Sequence, residues 1–262
     1  MQRYVSEWRQ TITRIGRWVD FENDYKTMDT WFMESVWWAF KQLWDKGLIY
    51  QGMKVVPVST ELGTPLANFE ATSNYKDVQD PAITVLLKII DREEYLAVWT
   101  TTPWTLPGNV GLAVGPDVTY VRVKITAPPS DSWEGRGGAP LEEELILAKD
   151  LMSTVLRHQV EVVEEFPGSN LVGMSYQPLF EGAIDGSNHP AAWTIVGADF
   201  VTTTDGTGVV HTAVMYGEDD YNLGMKEGFP AQHTVGMDGR FVEGTHIQLD
   251  GRYVKDLSLI HI

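Results

Sequence analysis

Residues 95–109 read Tyr-Leu-Ala-Val-Trp-Thr-Thr-Thr-Pro-Trp-Thr-Leu-Pro-Gly-Asn, and the two halves of this run ask for different backbones. Tyr95 to Thr101 is aromatic, apolar and β-branched, which is the composition of a strand packed on a pleated surface. Pro103, Pro107, Gly108 and Asn109 cannot continue it, because proline carries no N–H and glycine and asparagine suit turns. The run therefore predicts a strand that ends in a hydroxyl-rich turn. The same texture recurs on either side, at Lys54–Val58, Ile83–Ile90, Val118–Ile125 and Trp193–Val196, each bounded by Gly, Pro or Asn. This spacing predicts a compact β-rich domain from about residue 51.

Helical patterns lie before and within this domain. In the Trp-rich first 50 residues, Met33, Trp37, Phe40 and Trp44 share one helix face, and Lys46 and Gly47 supply an end. Such an aromatic stripe fits core packing or docking on a neighbouring domain. Residues Ala127 to Pro140, with Pro128, Pro129, Gly135, Gly137 and Gly138, predict an exposed loop. Leu141–His158 then places Leu145, Leu147, Ala148, Leu151, Met152, Val155 and Leu156 at helical spacing, with Glu142, Glu143 and Glu144 near its start, so a helix packed on the sheet is expected there. No internal repeat is visible. The expected class is α+β, divided into residues 1–50, 51–252 and a return segment or appended tail at 253–262.

Composition narrows the chemistry. The 262 residues contain no cysteine, which excludes disulfides, thiolate metal sites and a cysteine nucleophile. A formal charge of -16 opposes an extended grip on a phosphate backbone, so any RNA contact is expected to be small and local. With no bilayer-length apolar run and no signal-peptide pattern, a soluble, cytoplasmic monomer is expected. Walker, Gly-x-Ser-x-Gly and His-Glu-x-x-His patterns are missing, and the six histidines show no metal-ligand spacing. Neither a metal nor a cofactor is expected.

Two clusters stand apart. In the first, Thr100, Thr101 and Thr102, with backbone N–H groups freed where the strand ends, can surround a carbonyl and stabilise an oxyanion. The plainer reading is a Thr-rich strand end. In the second, Gly206-Thr207-Gly208-Val209-Val210-His211-Thr212-Ala213, a glycine turn leads into a buried strand that delivers His211. The acidic loop Gly217-Glu218-Asp219-Asp220-Tyr221 follows. An imidazole and several carboxylates so close together can hold an ammonium group and orient water or a ribose hydroxyl. A solvated acidic turn after a core strand accounts for the same residues.

Together these runs resemble the editing insertion, the first connective peptide, of class I aminoacyl-tRNA synthetases, specifically the isoleucyl branch. The Trp-Thr-Thr-Thr-Pro-Trp-Thr-Leu-Pro-Gly-Asn run at 99–109 is similar to the threonine-rich peptide of that branch; valyl and leucyl relatives typically carry Thr-Thr-Arg-Pro, with arginine at the position of Thr102. The run at 206–221 is similar to the second editing motif, and residues 57–70 (PVSTELGTPLANFE) and 173–180 (GMSYQPLF) also match. Val214 stands where the family usually has proline, so a differently shaped loop is expected. The HIGH and KMSKS signatures of the synthetic site do not occur, so no amino-acid activation is expected.

The resemblance implies a barrel-like editing domain, with residues 1–50 joining it to the synthetase core. It further implies hydrolysis of valine from mischarged isoleucine tRNA, with valyl-adenylate as an additional substrate. Isoleucine and valine differ by one methylene, worth only about 1–3 kcal/mol in a pocket, a limit for which isoleucyl-tRNA synthetases are themselves the standard example. A second pocket that admits only the smaller side chain restores fidelity. On this resemblance Asp220 anchors the ammonium group and His211 borders the side-chain pocket or holds the terminal ribose. Thr100, Thr101 and Thr102 line the ester and position water, and a free ribose hydroxyl helps orient that water. Asn109 supports the turn, and Trp104, Val210, Ala213 and Asp219 complete substrate binding. The implied partners are the 3′ end of the tRNA and the rest of the synthetase. Two other readings remain: a valyl-type domain that removes threonine, opposed by Thr102 and Trp104, and a module that binds aminoacyl-adenosine without chemistry.

Overall fold

A computed structural model describes residues 2–127, 144–156, 159–246 and 248–256. The chain divides into two compact units, residues 1–54 and 55–262.

The first unit holds helix α1 (Gln2–Arg14) and helix α2 (Thr30–Asp45). The expectation of helix through the first 50 residues is corrected at 15–29. Gly16 takes a left-handed φ of 75°, and the Asp20 carboxylate accepts the N–H groups of Glu22 and Asn23 at 2.9 and 3.1 Å. This local bonding competes with a helical ladder. α2 ends as expected: Gly47 is left-handed, with φ 68°, and Leu48 N–H reaches back to the Leu43 carbonyl at 3.1 Å. Met33, Trp37, Phe40 and Trp44 are all exposed, and no described residue of this unit is buried.

The second unit is built on strands. A short hairpin, β1 (Val58–Ser59) with β2 (Thr64–Pro65), precedes the four-residue helix α3 (Asn68–Ala71). Of the strand expected over Lys54–Val58 only its last residue is in a ladder, because Pro57 has no N–H to donate and residues 54–57 are exposed, with no apolar burial to favour pairing. The main sheet contains β3 (Ile83–Lys88), β4 (Glu94–Thr100), β5 (Gly111–Val114), β6 (Thr119–Ala127) and β7 (Glu144–Ala148). A short helix, α4 (Met152–Val155), then leads to β8 (Gln159–Pro167), β9 (Thr194–Gly197), β10 (Val209–Thr212) and helix α5 (Glu218–Glu227).

The sheet order is β8-β6-β7-β4-β10-β5-β9, with β3 also paired to β4. β4 is the branch point. One edge carries β3 along its length, while the other is shared, Glu94–Leu96 pairing with β7 and Trp99 with Val210 of β10. The sheet curls into a half-barrel with few helices, so the expected α+β, barrel-like class holds.

The helix expected over Leu141–His158 is corrected by a strand at 144–148, a 3-10 turn at Lys149–Leu151 and one turn of α4. Leu145, Ile146, Leu147 and Ala148 are all buried, because β7 is inserted between parallel β4 and antiparallel β6. A strand buried on both faces is a continuous apolar run, which periodicity alone does not separate from a buried helix. The loop expected at 127–140 lies outside the described residues, apart from Ala127 at the end of β6, as do residues 257–262 of the expected tail.

Alternation along the strands sorts the core. Leu96, Val98, Leu112, Val114 and Ile146 join one apolar cluster. Their neighbours Ala97, Leu145 and Leu147 face a second, and Ala113 a third that Val214, Leu223 and Phe229 complete beneath α5. Val98 and Val209, both buried in the first cluster, hold the parallel pairing of β4 and β10 from one face.

Candidate active site

The parallel pairing of β4 and β10 brings together two stretches that are over a hundred residues apart in the chain. Val210 pairs with Trp99, and one residue further along each strand Thr100 and His211 enter the wall of a cavity of about 340 Å³. Thr101, Thr102, Ala213 and Asp220 also line it, with Val210 at the rim.

The hydroxyl run is ordered by its own turn. Beyond β4 the chain enters a 3-10 turn at Pro103–Gly108, where Pro103 occupies a position that needs no donor. Thr102 N–H donates to Thr100 Oγ1 at 3.1 Å, and the two hydroxyl oxygens lie 3.4 Å apart. Thr105 Oγ1 donates to the Thr102 carbonyl at 2.7 Å. Thr100 is buried, whereas Thr101 and Thr102 are exposed on the cavity side.

His211 is buried at 8% exposure. Its Nε2 lies 2.7 Å from Thr105 Oγ1 and its Nδ1 lies 3.3 Å from Asn109 Nδ2. Burial pulls its pKa down from 6.5 to about 4, so the ring is neutral near pH 7. With a partner on each nitrogen, the imidazole is a fixed part of the cavity wall.

The acidic stretch is corrected from a loop to the first turn of α5, with Glu218, Asp219 and Asp220 following Gly217 at the N-cap. Carboxylates are favourable at this end of a helix, and left-handed Gly228 closes the other. Asp220 turns back to accept the Ala213 N–H at 2.9 Å. Burial raises its pKa; the Ala213 bond offsets part of that, and the nearby Asp219 charge adds to it. A partly desolvated carboxylate at a cavity wall is a strong acceptor for an ammonium group. Val214 is buried against α5, where a side chain at Gly224 would come within 2.4 Å of it. The loop from His211 to the helix is thus held by apolar packing.

The remaining sequence candidates sit differently. Trp104 stacks edge-on against Tyr216, with ring centroids 5.2 Å apart, and does not line the cavity. Asn109 is buried behind His211, and Asp219 is exposed on α5 beside Asp220. Sequence reasoning missed Thr105, Tyr216 and Tyr176. Thr105 lies three residues after Thr102, the spacing of a 3-10 turn, and that spacing could have found it. Tyr216 lines the cavity, and its hydroxyl accepts the N–H groups of Thr234 and Val235 at 2.7 and 2.8 Å. No local signal marks that role. Tyr176, within the 173–180 run, donates to Asn109 Oδ1 at 2.6 Å.

Chemically, the cavity wall offers threonine hydroxyls, a carboxylate and a neutral imidazole. Such a set can bind an ammonium group beside a carbonyl and order a water against it.

The chain is 48% identical over 245 residues to isoleucine–tRNA ligase of Bdellovibrio bacteriovorus, an alignment covering 92% of this chain and 22% of that protein. It is 45% identical over 265 residues to the cytoplasmic isoleucine–tRNA ligase of Saccharomyces cerevisiae, covering 99% and 24%. The chain thus spans about a quarter of the length of these relatives. Among solved structures, the editing domain of P. knowlesi cytosolic leucyl-tRNA synthetase is similar at a TM-score of 0.41 and 12% identity, over 57% of this chain and 65% of that one. The family model described as tRNA synthetases class I (I, L, M and V) matches residues 1–238, and the chain belongs to that family.

Proposed function

We propose that this chain is the editing part of an isoleucyl-tRNA synthetase and that its cavity hydrolyses the ester between valine and the terminal ribose of isoleucine tRNA. The observation that carries this reading is the convergence of Thr100, Thr101, Thr102, His211 and Asp220 on one cavity. Relatives at 48% and 45% identity named isoleucine–tRNA ligases support it.

In this reading the Asp220 carboxylate receives the substrate ammonium, which places the ester carbonyl over the threonine run. Hydroxyl and backbone donors there stabilise the oxyanion formed as water adds to the carbonyl carbon. Collapse of the adduct breaks the bond to the ribose oxygen, which takes up a proton, and releases free valine. His211, committed on both nitrogens, limits the room for the side chain, so one extra methylene is excluded by overpacking. Residues 1–54 join the domain to the synthetic core, and valyl-adenylate is an additional substrate of the same cavity.

The test is release of amino acid from valyl- and isoleucyl-tRNA of the isoleucine acceptor, for this chain and its Asp220→Asn variant. The variant keeps an acceptor for Ala213 N–H and loses the charge. Expected is preferential release of valine, reduced about a hundredfold in the variant, the scale on which a buried charge-assisted bond acts. Intact valyl-tRNA at saturating concentration would instead favour a module that binds aminoacyl-adenosine without chemistry.

A further inference from the structure

Behind the cavity wall runs a chain of hydrogen bonds that begins far from the two site stretches. Tyr176, at 0% exposure, donates its phenol O–H to Asn109 Oδ1 at 2.6 Å. Asn109 Nδ2 lies 3.0 Å from the Gly111 carbonyl and 3.3 Å from His211 Nδ1. His211 Nε2 lies 2.7 Å from Thr105 Oγ1, and that hydroxyl reaches the Thr102 carbonyl at 2.7 Å.

Elementary donor and acceptor rules give every link a direction. A carbonyl only accepts, so the amide nitrogen of Asn109 must face Gly111, and Oδ1 must face Tyr176. Tyr176 is therefore the donor. The second amide N–H of Asn109 is directed to His211 Nδ1, which must present a lone pair. At the other end, Thr105 has committed its one proton to Thr102, so its oxygen must accept from His211 Nε2. Both ends demand the same ring: neutral, with its proton on Nε2.

Tyr176 is itself fixed by the fold. Its backbone N–H donates to the Trp193 carbonyl at 3.0 Å, and it bridges to Ile89 at the end of β3. Burial raises its pKa well above 10, so the phenol is a donor near pH 7.

We propose that Tyr176 is a positioning residue: together with the Gly111 carbonyl it holds the Asn109 amide in the orientation that keeps His211 as the Nε2–H tautomer and, through Thr105, orients the Thr102 segment that borders the cavity. Removing only the O–H leaves Asn109 Oδ1 buried without a partner, so the native orientation of the amide is then held by the Gly111 carbonyl alone. In its flipped orientation the amide oxygen would face His211 Nδ1 and draw the proton there, opposed by the contact of two acceptors at the Gly111 carbonyl; losing the Tyr176 bond lowers the cost of that state by one hydrogen bond. The consequence for catalysis rests on the editing reading above; the tautomer does not.

The experiment is nitrogen-15 NMR of the histidine rings in the full chain near pH 7, with the His211 signals assigned from their loss in His211→Gln. The wild type is expected to show the Nε2–H tautomer. Tyr176→Phe is expected to raise the Nδ1–H fraction about tenfold, the scale set by one lost buried bond. Asn109→Asp, which replaces the donor by an acceptor, is expected to move the proton to Nδ1. An unchanged Nε2–H ring in both variants, or an Nδ1–H ring in the wild type, overturns the proposal. If Tyr176→Phe loses its methyl dispersion through misfolding, Tyr176→Met, which fills the ring's space without a donor, takes its place, and an unchanged Nε2–H ring there overturns the proposal.

For valyl-tRNA hydrolysis, Tyr176→Phe is expected to lower kcat about tenfold with KM within about twofold, as for an interaction made only in the transition state. An unchanged kcat beside an altered tautomer removes the positioning role. Absence of hydrolysis by the wild type sinks the editing reading, while the NMR result still decides the tautomer.

Discussion

The His211 imidazole is held at about pKa 4 by burial, against 6.5 in the unfolded chain. As pH falls through 6.5 the unfolded chain takes up a proton that the folded one refuses until about 4, so stability drops across that window. The loss reaches about 3 kcal/mol below pH 4. Asp220 acts in the opposite sense: burial penalises its charged form, so the folded chain takes up that proton first and gains stability as pH falls through the raised value. Urea unfolding between pH 7 and 4.5 is expected to show a steeper loss for the wild type than for His211→Gln, in which Asp220 titrates as before. Parallel slopes would mean the ring is not buried in its neutral form. His211, Asp220 and the three threonines were legible in the sequence as local polar clusters, and the resemblance to editing insertions singled them out as a site. Their protonation was not, because desolvation of His211 depends on β5 and the Asn109 turn packed around it.

At the scale of elements, the glycine turn before β10 decides where His211 is delivered. Gly208 has a left-handed φ of 76°, and a Cβ added there would meet the Ala148 Cβ of β7 at 2.3 Å. Thr207 carbonyl also accepts the Ala148 N–H at 2.8 Å, which ties the turn to the end of β7. Gly208→Ala is expected to destabilise the protein by about 2–4 kcal/mol, through backbone strain plus overpacking. It is also expected to lower hydrolysis more than His211→Gln does. A denaturant midpoint within error of the wild type would show that the turn can shift at no cost. The run 206–212 was readable as turn then strand because glycine and β-branched residues have distinct backbone preferences. Residues 144–148 were not, since their apolar run fits a buried strand and a buried helix equally. The acidic residues 218–220 read as a solvated loop by their charge, although Gly217 and Gly228 bracket a helix that they open. The capping pattern was there to be read, and the charge obscured it.

For the whole molecule, the described buried apolar residues run from Leu87 to Leu249, all within the unit 55–262. Because stability follows apolar area removed from water, residues 55–262 expressed alone are expected to unfold cooperatively, with a free energy within about 1 kcal/mol of the full chain's. Valyl-tRNA hydrolysis is expected to be retained. A molten, ANS-binding fragment would mean that residues 1–54 are needed for the core. Among the described residues no helix is long and apolar enough to cross a membrane. The sequence by itself determined the β-rich character of the chain beyond about residue 51, the end of α2 at Gly47 and the two polar stretches at 99–109 and 206–221, because each rests on backbone preferences or spacings within a few residues. Only the tertiary structure decided that β7 is a strand, that β4 and β10 pair to bring Thr100 beside His211, and that Asn109 and Thr105 meet the two ring nitrogens, with Tyr176 behind Asn109. Those features depend on pairing and burial between segments far apart in the chain, and no local pattern encodes which buried donor will meet which acceptor.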